Sequence, residues 1–159
     1  MSKTGDVEGC VFCEALADVE NSRLVVYRAE AAFIILNMFP YTCGHLMVVP
    51  ARHIATLGAA SPAERAEMIE LTSLAEVTLS EVYRPQGLNV GMNLGRAAGA
   101  GIVDHMHIHV VPRWNGDTNF VSVVGGVRVL PEDLDHSAAR LRPVFERLGK
   151  SRGGPPCPP

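Results

Sequence analysis

At 159 residues, with 47% apolar and 19% charged residues, the chain suits a single globular domain with a sizeable core. A formal net charge of −3 gives no general attraction to nucleic acid or to an anionic membrane. Four cysteines without a secretion signal point to a reducing compartment, expected to be the cytoplasm, and no apolar run approaches the roughly 20 residues that span a bilayer.

Residues 1–9 are polar and are expected to be flexible. The apolar, β-branched runs at 23–29 and 32–37 predict a first hairpin, and HLMVVP (45–50) predicts a further strand after the turn YTCG. Ser61-Pro62-Ala63-Glu64 carries the signature of a capping box with proline at the first helical position. Met68, Leu71, Ala75, Leu79 and Val82 then recur at helical spacing, which predicts one long amphipathic helix over 62–83, ended by Pro85 and Gly87. GLNVGMN (87–93) alternates as a strand does. A glycine-rich segment, NLGRAAGAG (93–101), leads into a last strand at 105–111. Leu134, Ala138, Leu141, Phe145 and Leu148 predict a C-terminal helix, with Pro143 expected to kink it or delay its start. The tail 149–159 is expected to be disordered. The element order predicts an α+β fold with a mainly antiparallel sheet.

The last strand holds the strongest signal. HMHIHVV places His105, His107 and His109 at a spacing of two, which a strand sets on one face roughly 6.5–7 Å apart. Met106, Ile108 and Val110 then face the core with the long helix. A wet strand face would accept threonine, lysine or glutamate equally well, so three imidazoles point to chemistry. Neutral imidazole is both a nucleophile and a general acid–base near pH 7. The preceding glycines allow backbone N–H groups to approach an anion closely, although a connecting loop would look the same. Cys10-Val-Phe-Cys13 reads as a redox pair, half a metal site or two ordinary thiols. A thioredoxin-like redox site lacks its βαβ context here, and zinc requires two further ligands.

The histidine run resembles the signature of the histidine triad (HIT) family, His-φ-His-φ-His-φ-φ. Cys10-Val-Phe-Cys13, Asn37, Cys43-Gly44-His45-Leu46-Met47-Val48-Val49-Pro50 and Asn93 with its glycines also fit, in the family's order, across a domain of residues 10–148. HVVPRWNGDTNF (109–120) is similar to the branch containing diadenosine tetraphosphate phosphorylases and their relatives. The resemblance implies an enzyme with a HIT-like α+β fold that cleaves dinucleoside polyphosphates through a covalent nucleotidyl-histidine. In that scheme His107 is the nucleophile, His109 contacts phosphate and assists the leaving group, and His45 supports them. Asn37 would hold the ribose, residues 26–36 a base, and Asn93, Gly99, Gly101 and Ile102 the phosphates. The resemblance also implies a structural zinc on Cys10, Cys13, His53 and His105, and a homodimer. A nucleoside phosphoramidate hydrolase or a low-turnover nucleotide-binding module remain as alternatives. One departure stands out. Many HIT proteins carry Gly-Gln-Ser/Thr-Val before the triad, whereas Gly99-Ala100-Gly101-Ile102-Val103 offers no hydroxyl, so phosphate binding falls to backbone N–H groups and Asn93.

Overall fold

The computed structural model describes residues 9–18, 22–117 and 132–152. The apolar runs form β1 (Val25–Arg28), β2 (Ala32–Leu36) and β3 (Leu46–Pro50), and the alternating segments form β4 (Gly87–Gly91) and β5 (Ile108–Arg113). They make one sheet in the order β1, β2, β3, β5, β4, and every neighbouring pair is antiparallel. The α+β, mainly antiparallel architecture is therefore as expected.

Side-chain alternation sorts the sheet into two faces. Ile34, Leu36, Leu46, Val48, Ile108 and Val110 join the main core. Against them lie α2 (Pro62–Tyr83), through Met68, Leu71 and Leu79, and α3 (Leu134–Ser151), through Ala138, Leu141 and Phe145. The opposite face carries Phe33, Ile35, Met47 and Val49. A one-and-a-half-turn to two-turn helix, α1 (Val11–Ala17), covers part of it with Cys10 and Phe12. At seven residues α1 is too short to show a helical repeat, and sequence patterning did not reveal it.

The long helix starts where its signals stand. Glu64 N–H donates to Ser61 Oγ at 3.1 Å, and Ser61 N–H donates to Glu64 Oε2 at 2.7 Å. It ends at Arg84, which adopts φ 50° before Pro85.

Three expectations need correction. The histidine strand begins at Ile108, so His109 alone of the triad lies within the ladder. His105 and His107 occupy the segment before it, where Met106 N–H donates to Ile54 O at 2.8 Å instead of to a strand. The helix α3 is not delayed by Pro143: it starts at Leu134 and runs through the proline. A mid-helix proline costs about 3 kcal/mol. Fully burying Leu141 and Phe145 stabilises by about 1.5–3 kcal/mol each, enough to offset it. Finally, residues 149–151 belong to α3, because Gly149 lets the helix close on Tyr27; a Cβ there would stand 2.5 Å from the Tyr27 hydroxyl. The remainder of the expected tail, 153–159, and nearly all of segment 1–9, expected to be flexible, lie outside the described residues.

The two sheet edges differ. β1 is covered by α3, whose Arg142 donates to Val25 O at 3.2 Å. Among the described residues β4 is bare: Gly87, Asn89, Val90 and Gly91 are exposed and Leu88 is half-buried.

Candidate active site and metal centre

His45, at the start of β3, His109 in β5 and His107 just before it form one cluster. The His107 and His109 ring centroids are 4.7 Å apart and those of His45 and His109 are 5.2 Å apart. His45 is fully buried and His107 is 4% exposed.

Hydrogen bonds assign the proton on each ring. His107 Nδ1 lies 3.1 Å from the His105 carbonyl. A carbonyl can only accept, so Nδ1 carries the proton and Nε2 keeps its lone pair. Tyr41 N–H donates to His45 Nδ1 at 3.1 Å, which leaves the His45 proton on Nε2. His45 Nε2 in turn faces His109 Nδ1 at 3.0 Å, so it donates there and His109 carries its proton on Nε2. The cluster thus presents one free base, His107 Nε2, and one oriented donor, His109 Nε2–H. Burial holds all three rings neutral. It is the main cause lowering His45 to about 3, with His109 and then His107 adding to it. Burial likewise lowers His107, opposed by its bond to the His105 carbonyl, and lowers His109, with His107 adding to it.

His105 meets a different set of partners. Its Nε2–H donates to Pro50 O at 2.9 Å. Its Nδ1 lies 3.3 Å from Cys10 Sγ and 3.7 Å from Cys13 Sγ, while His53 Nδ1 lies 3.3 Å from Cys13 Sγ. The four donor atoms all lie within 4.8 Å of one another. Two thiols and two imidazoles, with one ring anchored through its far nitrogen to a carbonyl, fit a tetrahedral metal site. Sequence reasoning named all four residues, and the fold brings them together. It also divides the triad: His105 serves the Cys/His cluster, and His107 and His109 serve the other.

The expected nucleotide-binding residues are less concentrated. Asn37 follows β2; its Oδ1 accepts from Phe39 N–H at 2.9 Å, a turn-forming bond, and its Nδ2 lies 3.4 Å from both His45 ring nitrogens. Asn93 Nδ2 donates to Gly99 O at 3.3 Å, closing a loop in which Gly95 and Gly99 have φ of 85° and 86°. Gly91 pairs with His109, so the antiparallel register carries Asn93 toward the level of His107. Gly101 is exposed, and Ile102 packs on the apolar cluster around Phe12.

Two aromatic residues escaped sequence reasoning. Phe12 stands edge-on to both His105 and His107, with centroids 5.3 and 5.0 Å away. Tyr41 lies 4.6 Å from the His45 ring and 6.3 Å from His109. Phe12 could have been found from its place between the two cysteines; nothing local marks Tyr41.

Comparison with known proteins agrees with this geometry. The HIT domain family matches residues 18–116. A protein of Mycobacterium tuberculosis named AP-4-A phosphorylase is 45% identical over 132 residues, 83% of this chain and 67% of the relative. An uncharacterised HIT-like protein of the same organism is 33% identical over 129 residues, 81% of this chain and 86% of the relative. A Zn-bound histidine triad family protein from Mycobacterium smegmatis superposes with a TM-score of 0.73 at 30% identity, over 90% of this chain and 97% of the other. With its two-faced sheet, its divided triad and these relatives, the chain belongs to the HIT family and is a HIT-type enzyme homologous to AP-4-A phosphorylase.

Proposed function

We propose that the protein cleaves dinucleoside polyphosphates of the diadenosine tetraphosphate type through a nucleotidyl group carried on His107. The observation that carries this reading is the tautomer pattern: His107 Nε2 is the unprotonated ring nitrogen, and His109 Nε2–H is the oriented donor beside it. His107 Nε2 attacks the α-phosphorus, and the bond from phosphorus to the bridging oxygen breaks. The electron pair leaves with that oxygen on the nucleoside triphosphate. His109 Nε2–H donates a hydrogen bond to it as negative charge builds; a polyphosphate leaving group is stable as an anion and needs no full proton transfer. The modified His107 ring becomes cationic, and its Nδ1–H stays bonded to the His105 carbonyl. An acceptor then attacks the same phosphorus and frees His107. Asn37 holds the ribose in this scheme, and Asn93, with the backbone at Gly99, Gly101 and Ile102, receives the phosphates.

Zinc on Cys10, Cys13, His53 and His105 fits the same reading. With four protein ligands the ion would supply a structural cross-link between the N-terminal segment and the approach to β5. The bare β4 edge suits pairing with a second copy, because an unpaired strand edge is a hazard that dimerisation removes.

The test is incubation with diadenosine tetraphosphate with and without orthophosphate. ADP and ATP formed only with phosphate mark a phosphorylase. AMP and ATP without it mark a hydrolase. No cleavage in either case overturns the proposed substrate.

A further inference from the structure

Behind the turn that carries His45, two side chains outside the histidine cluster join α2 to α3. Gly44 has φ 75° and sits so close to α2 that a Cβ on it would stand 2.9 Å from the Tyr83 ring. The Tyr83 hydroxyl donates to Glu132 Oε2 at 2.6 Å. The same carboxylate accepts from Ser137 Oγ at 2.9 Å and from Arg140 Nη1 at 2.8 Å. The Arg140 guanidinium also lies 4.6 Å from the Tyr83 ring centroid. Glu132 then returns to the turn: its backbone N–H donates to Cys43 Sγ at 3.3 Å. The contacts close a circuit from Gly44 to Tyr83, to Glu132, to Cys43 and back along the chain. Burial, helped by the Glu132 carboxylate, pushes the Tyr83 hydroxyl up to about 12, so it remains a donor at any physiological pH.

His45 follows this circuit by one residue. Its contact with His109 is 3.0 Å, and such bonds hold over a range of about 2.7–3.2 Å, so a small shift of the turn breaks it. We infer that Tyr83 and Glu132 are positioning residues for the His45–His109 pair, bracing the turn at Cys43 and Gly44 so that the His45 ring meets His109. The inference rests on the roles proposed above for those two histidines. Neither Tyr83 nor Glu132 bonds to the His45 or His109 ring, so they act through the turn.

Imidazole 15N NMR of the full-length, metal-loaded protein reads the arrangement directly. In the wild type His109 should show one tautomer, protonated on Nε2. Tyr83→Phe keeps the ring against Gly44 and removes only the hydroxyl bond; Glu132→Ala removes the whole carboxylate. Both should mix the His109 tautomers and lower kcat about tenfold while KM stays within about twofold. Glu132→Gln, whose amide oxygen still accepts from Tyr83, should recover most of the loss. Arg147→Ala is the control: it removes the Arg147–Glu81 pair, which also links α2 and α3 but lies outside the circuit, and should leave the His109 spectrum unchanged. Wild-type His109 resonances in both Tyr83→Phe and Glu132→Ala would overturn the inference, whatever their melting temperatures. If Glu132→Ala does not fold, Tyr83→Phe decides alone. The tautomer is observed without turnover, so inactivity of the wild type on diadenosine tetraphosphate counts against the proposed function and leaves this inference standing.

Discussion

His45 Nε2 lies 3.0 Å from His109 Nδ1, and the bond between them runs in one direction. It starts at the Tyr41 N–H, which occupies His45 Nδ1, and it ends with the His109 proton on Nε2. His45→Ala removes the donor that selects this tautomer. It should lower kcat by roughly 10- to 100-fold with little change in substrate affinity, as expected when a group that orients the chemistry is lost. Steady-state kinetics and the His109 tautomer in 15N NMR check both parts.

His107→Ala should be more severe, lowering turnover by roughly 10⁴-fold or more, because it removes the proposed nucleophile. The main core faces the other side of the sheet, so the fold should survive. Mass spectrometry of quenched wild-type enzyme should show an added nucleotidyl group that this variant lacks. Near wild-type kcat in the variant would dispose of the covalent route.

Cys10→Ser should lose the metal. Elemental analysis should find about one zinc per wild-type chain and markedly less in the variant. Metal binding is coupled to folding, so the melting temperature should fall by on the order of 10 °C. Activity should fall less than in His107→Ala, through loosening of the approach that holds His107. Zinc loss with an unchanged melting temperature would leave the ligands assigned and remove the structural role.

Stability should fall on acidification even without the metal. His45 titrates at about 3 in the folded chain against 6.5 for the free side chain, chiefly because it is buried. Between those values the unfolded chain binds a proton that the folded chain does not. His45 therefore contributes stability that is fully present above pH 6.5 and is lost progressively as pH falls toward 3. Glu64, lowered to about 2 first by its bond to Arg52, acts only below 4.5, so the upper part of the window belongs to the histidines. Urea midpoints of the Cys10→Ser chain should drop from pH 7 to pH 5, and adding His45→Gln should flatten that slope. Equal slopes with and without His45 would reject its part in the effect.

The β4 edge predicts the oligomeric state. Light scattering should return a multiple of the 17.1 kDa chain mass. Val90, which is 54% exposed on that edge, should matter to it: Val90→Asp should shift the protein toward monomer without lowering its melting temperature as monomer. A wild type that scatters as a single chain at micromolar concentration ends the proposal.

Much of the architecture was legible because its physics is local. The apolar, β-branched runs of β2 and β3, the reciprocal Ser61–Glu64 cap and the apolar stripe of α2 each declare themselves within a few residues. The histidine spacing announced chemistry for the same reason. The division of labour within the triad was not legible from spacing alone. Cys10 and His105 are 95 residues apart, and their meeting depends on α1 reaching across the sheet. Resemblance to a family supplied that pairing; periodicity could not. The Tyr41, Tyr83 and Glu132 contacts were hidden for the same reason, since each joins segments whose proximity is a product of the tertiary fold. Pro143 misled in one respect: it does not delay the start of α3, because the apolar contacts on either side of it outweigh its local cost.

The two faces of the sheet also set a rule of parity for the run from 105 to 110. Odd positions bear the imidazoles, and even positions, Met106, Ile108 and Val110, bury themselves against α2. Chemistry and folding are written into one segment as alternate letters. Substitutions at His107 or His109 can therefore change what the protein does at little cost to its main core. Inserting or deleting a single residue here exchanges the two alphabets, driving imidazoles into the hydrocarbon and hydrocarbon into the histidine cluster. The segment should tolerate almost no change of length.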